Sequence, residues 1–356
     1  MSATSATTNG TASPLPDRQP PPSAAQQSAS PSHLRRIAVV VVLAPVLAAL
    51  ALWAFAWPAA RTAPHDLPLG VAGPATATAQ VQKQLEAHEG AFEIHRYADE
   101  AAARDAIENR TVYGAVVVTE RGPELLTASA ASPLVAQSLQ QAVARQSGGA
   151  PLKTVDVVPA SADDPRGAVL TSSVLPMTLA GIAAGAVVTL LGLRGRRAVA
   201  ALIGAAAVVG LVAALVAGTW LGAFTGNWWS EAAVLAASTL AVSAAVAGLA
   251  ALLGTPGIGL GAFVMMLLGN PFSGASSAPE MLPAPVGTIG QWLPPGAGAS
   301  LLRSVSFFDG AAASGPALTL AWWSALGLGA VLLGSALKRR KESAPATTER
   351  EPALAG

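Results

Sequence analysis

Cysteine is absent from the 356 residues, and only four histidines occur, His33, His65, His88 and His95. No disulfide framework, thiolate metal site or thiol nucleophile is open to such a chain. Charge is scarce as well. Asp, Glu, Lys and Arg make up 12% of the residues, where soluble globular chains carry about 25%. Between Gly167 and Leu337 the ionisable residues are Arg194, Arg196, Arg197, Glu231, Glu280, Arg303 and Asp309 alone. That is too little charge for a water-soluble domain, so the stretch reads as membrane-spanning. A net charge of +1 with no basic stripe argues against nucleic acid as a partner. Catalytic signatures are missing too: G-x-x-x-x-G-K-[ST], H-E-x-x-H and G-x-S-x-G do not occur. His88 and His95 flank Glu89 and Glu93 but fall on different expected elements, and read as surface residues. The chain is therefore read as no enzyme, with no catalytic residue, cofactor or metal.

What is present is apolar and periodic. Residues 1–34 are rich in Ser, Ala, Thr, Pro and Gln and read as a disordered tail. Arg35 and Arg36 then precede the apolar run Ile37–Trp57, long enough at ~1.5 Å per residue to cross a bilayer core of about 30 Å. A cleaved signal peptide is the alternative, but the leading tail and the run are both too long for one. Further apolar spans fall at 168–193, 198–224, 231–253, 257–270 and 317–337. The fifth of the six spans is short and glycine-rich, with Pro256 before it. Together they make a one-plus-five arrangement.

Basic residues orient it. Arg35 and Arg36, then Arg194, Arg196 and Arg197, then Lys338–Lys341 all fall on one side of the alternating spans, as the positive-inside rule requires. Both termini are thus expected in the cytoplasm, and all eight tryptophans fall towards the opposite face. Glycine pairs at 181/185, 218/222 and 257/261 fit close helix approach in lipid.

Residues 61–166 are different material, with nine basic against thirteen acidic residues. Strands are expected at 67–72, 92–95, 112–119, 124–128 and 154–158, and helices near 76–89, 99–110 and 133–146. Ser132, Pro133 and Gly148 mark the start and stop of the last helix. This is enough for a small α/β domain. The stretch 270–315 holds Asn270-Pro271-Phe272-Ser273-Gly274 and two further proline clusters, with Glu280, Arg303 and Asp309 as its only charges. We read it as a re-entrant or interfacial hairpin, with a plain proline-rich lid as the alternative. Glu231, just after Trp228 and Trp229, reads as a helix N-terminal acid at the interface.

This pattern resembles the permeases of ABC type-2 exporters, in particular the YhgE/Pip-like branch of bacterial envelope proteins. The residues that carry it are Leu67-Pro68-Leu69-Gly70-Val71-Ala72, the run from Tyr97 to Ile107 leading into Val112–Val118, Asn270–Gly274, and the proline-rich loop. The resemblance covers about 35–340. It implies an α-helical polytopic protein of six transmembrane helices, with a small extracytoplasmic α/β domain between helices 1 and 2. The domains would be a cytoplasmic tail 1–34, helix 1 at 35–60, the α/β domain 61–166, a five-helix membrane domain 167–337 whose outer loop is 270–315, and a cytoplasmic tail 338–356. It also implies a separate ATPase subunit, a homodimer or heterodimer in a bacterial plasma membrane, and export of an apolar or amphipathic compound. Asn270, Pro271, Phe272, Glu280, Arg303 and Asp309 become candidates for a transport or gating region. Arg194, Arg196 and Arg197 become candidates for cytoplasmic coupling. From another class, an envelope receptor or scaffold would use the α/β domain to bind a ligand or partner, with the helices as its anchor.

Overall fold

A computed structural model describes Ser2, Ser5 and residues 31–120, 122–146 and 153–342. The expected disordered tail before Pro31, the residues after Glu342 and the helix stop at Gly148 lie outside the described residues. Two compact units divide the chain, Met1–Leu50 and Ala51–Gly356. The first consists, as far as it is described beyond two serines, of the leading part of helix α1 (Pro31–Ala60). Its apolar stretch Arg35–Ala60 is long enough to cross a membrane.

In the second unit, β1 (Leu67–Ala72), β2 (Phe92–Tyr97), β3 (Gly114–Thr119), β4 (Gly122–Thr127) and β5 (Lys153–Asp156) form one mixed sheet in the order β2-β1-β3-β4-β5. β1 runs parallel to β2 and β3, and β3 and β4 form an antiparallel pair from Gly114↔Thr127 to Thr119↔Gly122. Helices α2 (Ala75–Glu86), α3 (Glu100–Glu108) and α4 (Pro133–Gln146) connect them. The local chemistry explains the boundaries. Asp99 accepts from the Ala102 amide at 2.9 Å to start α3, and Ser132 accepts from Val135 at 3.2 Å to start α4. β1 is buried along nearly its whole length, as a central parallel strand should be.

Among the described residues five helices are long and apolar enough to cross a membrane: the α1 stretch, α5 (Ala168–Leu190), α6 (Gly195–Ala214, extended by a π-helical turn to Trp220), α7 (Trp228–Leu253) and α11 (Ser314–Glu342). The expected fifth span of six falls short of that length. It is α8 (Thr255–Phe263) with a π-helical turn Val264–Gly269, about 22 Å at ~1.5 Å per residue against a core of about 30 Å. Asn270, Pro271 and the turn after them end it. α11 also continues past the expected boundary at Leu337 as far as Glu342.

α7 is the hub. Two thirds of its apolar window is buried, against about a quarter for α5, α6 and α11, and all three pack on it together with α8. The contact surface is made of small residues. A methyl at Gly181 would stand 2.7 Å from Val242 Cβ, and one at Gly185 would stand 2.6 Å from the Ser243 carbonyl oxygen. The first expected glycine pair thus lets α5 close on α7, and Gly261 does the same for α8 at Val246. Of the pair 218/222, Gly218 faces Glu231 and Trp228 of α7, whereas Gly222 lies beyond the helix at φ +60, against Asp163.

The stretch 270–315 is no solvent loop. It folds into two 3₁₀ turns (Pro271–Ser273 and Pro279–Met281), α9 (Val286–Gln291) and α10 (Pro294–Phe307), and Pro294 to Ser304 are all buried. α10 packs on α5, α7 and α11. The same stretch completes the α/β domain. Phe308 joins the cluster of Ala103, Ile107, Val112 and Leu126, while Ala278 and Met281 join that of Leu69, Val116 and Leu125.

The α5–α7 contact makes a clear prediction. Gly185→Leu should lower the thermal unfolding midpoint of the detergent-solubilised protein, by overpacking of about 1–3 kcal/mol. Gly259→Leu, where nothing lies within 4 Å of the new carbon, should leave it nearly unchanged. Equal effects at both positions would remove the small-residue packing account.

Candidate functional site

The seam between the α/β domain and the 270–315 stretch gathers the buried polar chemistry of the second unit. α3 ends at Glu108, and Arg110 follows in the left-handed region at φ 58, with the amides of Arg110 and Thr111 closing on Ile107 and Ala106. The Arg110 guanidinium reaches α10. One Nη1 donates to the Ser300 carbonyl at 2.9 Å and to Ser304 Oγ one turn on, and the group lies 5.3 Å over the Phe308 ring. Tyr113, at the entry to β3, donates its hydroxyl to Glu280 Oε2 at 2.8 Å. The turn bearing Glu280 is fixed from a second direction, since His65 donates to the Glu280 carbonyl at 2.8 Å and Ala63 to that of Met281 at 3.0 Å.

Beneath lies a second cation. Arg303 is 5% exposed and donates from Nη2 to the Ala275 carbonyl at 3.1 Å. Gln291 links the layers: its amide donates to the Ser273 carbonyl at 2.8 Å and its oxygen accepts from Ser300 Oγ at 2.6 Å. A cavity of about 500 Å³ opens beside these groups, lined among others by Asp66, Arg110, Tyr113, Glu280, Gln291 and Trp292. Its mixture of two acids, one cation and aromatic faces suits a small amphipathic molecule.

Burial first, and then the charge of Glu280, pushes the Tyr113 phenol well above the ordinary tyrosine range. Burial also draws the Arg110 guanidinium below the usual arginine value, opposed by Tyr113 and Glu280. The phenol therefore stays protonated and donates to Glu280.

Of the sequence candidates, Glu280 and Arg303 meet in this seam. Phe272 is buried beside it against Leu282 and Val286. Asn270 caps the adjoining turn, its carbonyl accepting from Ser273, and Pro271 starts that turn. Asp309 is not brought in: it is exposed in a turn at φ 48. Sequence reasoning missed Arg110 and Tyr113. The signal was faint, Arg110 showing only as the middle of Asn109-Arg110-Thr111 and Tyr113 as one of two tyrosines. Glu231 does stand in the first turn of α7, where it is 2% exposed and accepts from the Gly226 amide at 3.0 Å.

Arg194, Arg196 and Arg197 are exposed where α5 turns into α6. The structure brings them beside Lys338 and Arg339 of α11 around one hollow. Among the described residues, no group of three or more His, Asp or Glu side chains is placed to hold a metal ion.

Tyr97 is also shifted upward by burial, so both tyrosines favour the neutral form when folded. The unfolded chain loses these protons near pH ~10, and the folded chain only above that. Stability is thus fully held below about pH 10 and lost as pH rises past it. In a Tyr97→Phe variant, which leaves Tyr113 as the one phenol, phenolate absorbance should appear only together with loss of folded helix signal. Phenolate formed in that folded variant near pH ~10 would contradict the buried Tyr113–Glu280 pair.

No curated protein and no solved structure matches this chain. A family model does, that of the ABC-2 family transporter proteins, over residues 35–337. With that match running through the membrane helices, the α/β insertion and the buried 270–315 stretch, this multi-pass membrane protein belongs to the ABC-2 transporter family.

Proposed function

We propose that the chain is the permease subunit of an ABC exporter in a bacterial plasma membrane, working with an ATPase on a separate chain. The observation that carries this reading is the family match over 35–337, which takes in the α/β domain and the seam it makes with α10. ABC-2 permeases are the membrane components of transporters and draw on an ATPase for energy. This chain itself has no phosphate loop.

In this reading six spans cross the bilayer, α8 with its π turn serving as a short, broken fifth and 270–315 as a re-entrant hairpin on the outer side. Broken backbone is tolerated at membrane depth when protein covers it, and the burial of 294–304 supports that. Both termini face the cytoplasm by the basic clusters, and the α/β domain lies outside. Between its two ends the bundle holds no charged residue other than those in the seam and Glu231, which favours an apolar or amphipathic cargo over an ionic one. Asn270, Pro271, Phe272, Glu280 and Arg303, now with Arg110 and Tyr113, would form the outer gate. Arg194, Arg196 and Arg197 would engage the ATPase, and a homodimer or heterodimer would complete the pathway.

Reporter fusions and a pull-down test this together. Fusions after Arg197 and Lys341 should report the cytoplasm, and one near Gly148 the outside. Replacing Arg194, Arg196 and Arg197 by Gln should abolish co-purification of an ATPase while membrane level and topology hold. A native protein that brings down no ATPase overturns the exporter reading in favour of an envelope receptor or scaffold whose α/β domain binds the ligand.

A further inference from the structure

At the end of the bundle where α5 turns into α6, five cationic side chains from two distant parts of the chain surround one hollow of about 490 Å³: Arg194, Arg196, Arg197, Lys338 and Arg339. Their convergence is built. Ser335 Oγ accepts from the Gly195 amide at 2.7 Å and donates to the Val331 carbonyl at 2.8 Å, which holds the start of α6 on α11. The Arg339 guanidinium extends over the same point, 3.7 Å from where a side chain at Gly195 would begin. Among the described residues no acid lines the hollow, and the first turn of α6 carries none. Positive-inside placement needs cations on this side, but it does not need five of them around one concavity. Held together, Arg196, Arg197, Lys338 and Arg339 repel one another, and an anion in the hollow relieves that.

The surroundings say what kind of anion. Leu190 and Leu191, directly before the lining residue Gly192, are 72% and 71% exposed. On α11, Leu333 and Leu337 are exposed as well, the latter directly before Lys338. A cationic hollow continuous with bare leucine surface fits a molecule with an anionic head and apolar tails. We propose that this hollow binds the phosphate of an anionic phospholipid, with the acyl chains lying along the exposed leucines. A choline headgroup would set its own cation among five others, so the site selects against zwitterionic phosphatidylcholine. The proposal goes beyond the permease reading and requires neither an ATPase nor transport.

The test uses the full chain in an uncharged detergent, incubated with equal amounts of phosphatidylglycerol and phosphatidylcholine of identical acyl chains. Retained lipid is then counted by native mass spectrometry. Phosphatidylglycerol should be enriched, and Lys338→Gln with Arg339→Gln should cut that enrichment by roughly fivefold for each cation removed. Inorganic phosphate at the same concentration should not compete, because it lacks the apolar half. Equal retention of both lipids, enrichment unchanged in the variant, or full competition by inorganic phosphate would each overturn the proposal. Should the double variant fail to fold, Arg196→Gln carries the same comparison. No ATPase is present, so failure here leaves the pull-down result standing, and failure there leaves this one.

Discussion

Two guanidinium groups leave bulk water at the seam between the α/β domain and α10, and much of the structure around them exists to compensate that. An isolated buried charge costs several kcal/mol even after relaxation. Arg303 is compensated by a backbone carbonyl, that of Ala275, which the glycine turn after Pro271–Ser273 leaves free of helix. Arg110 is compensated by the Ser300 carbonyl and the Ser304 hydroxyl, and by the face of Phe308. The Ala275 acceptor is available because the proline-rich stretch is irregular, whereas Ser300 and Ser304 accept from within α10. A regular helix across 270–293 would have used the Ala275 carbonyl on its own amides. The prolines are therefore part of the charge arrangement and not merely breakers.

The opposite constraint rules the middle of the bundle. There α7 is two-thirds buried and no ionisable side chain is available for pairing, so helices associate through shape. In an apolar solvent, shape means close backbone approach at small residues. Gly181 and Gly185 on α5, and Gly257 and Gly261 on α8, meet Val242, Ser243, Val246 and Leu249 along successive turns of α7. Gly327 of α11 stands against Ala244 on the same helix. One small-residue helix thus organises its neighbours through close backbone approach, and charge is confined to the two ends.

That division accounts for what the sequence could and could not disclose. The span positions were legible because apolar length is a local property, and so was the α/β domain. Its β1 was placed to the residue, and Ser132 was recognised as a cap. The short α8 was legible as the odd member: the expected span 257–270 and the observed helix with its π turn, Thr255–Gly269, differ by only one or two residues at each end. Glu280 and Arg303 could be flagged because charge is rare between Gly167 and Leu337. Arg110 and Tyr113 could not, since their surroundings in the sequence are ordinary for a polar domain. What makes them special is a pairing with Ser300 and Glu280, 190 and 167 residues away, and no local period encodes that. The joint hollow of Arg194–Arg197 with Lys338 and Arg339 was hidden for the same reason.

The seam also limits how the α/β domain can move. Its core is completed by Phe308, Ala278 and Met281 from the 270–315 stretch, so the domain is not closed on its own side. Parting it from α10 would strip Arg110 of both acceptors and Tyr113 of Glu280, at about 1.5–3 kcal/mol for each hydrogen bond to a charged group. It would also uncover the apolar side chains that close its two clusters. Thermal motion alone will keep such an opening rare. A molecule entering the cavity beside Arg110 and Glu280 could offset the loss only by offering those groups equivalent partners, an acceptor for the guanidinium and a donor for the carboxylate. A purely apolar molecule offers neither. Opening of the seam would therefore be coupled to molecules that carry at least one polar end.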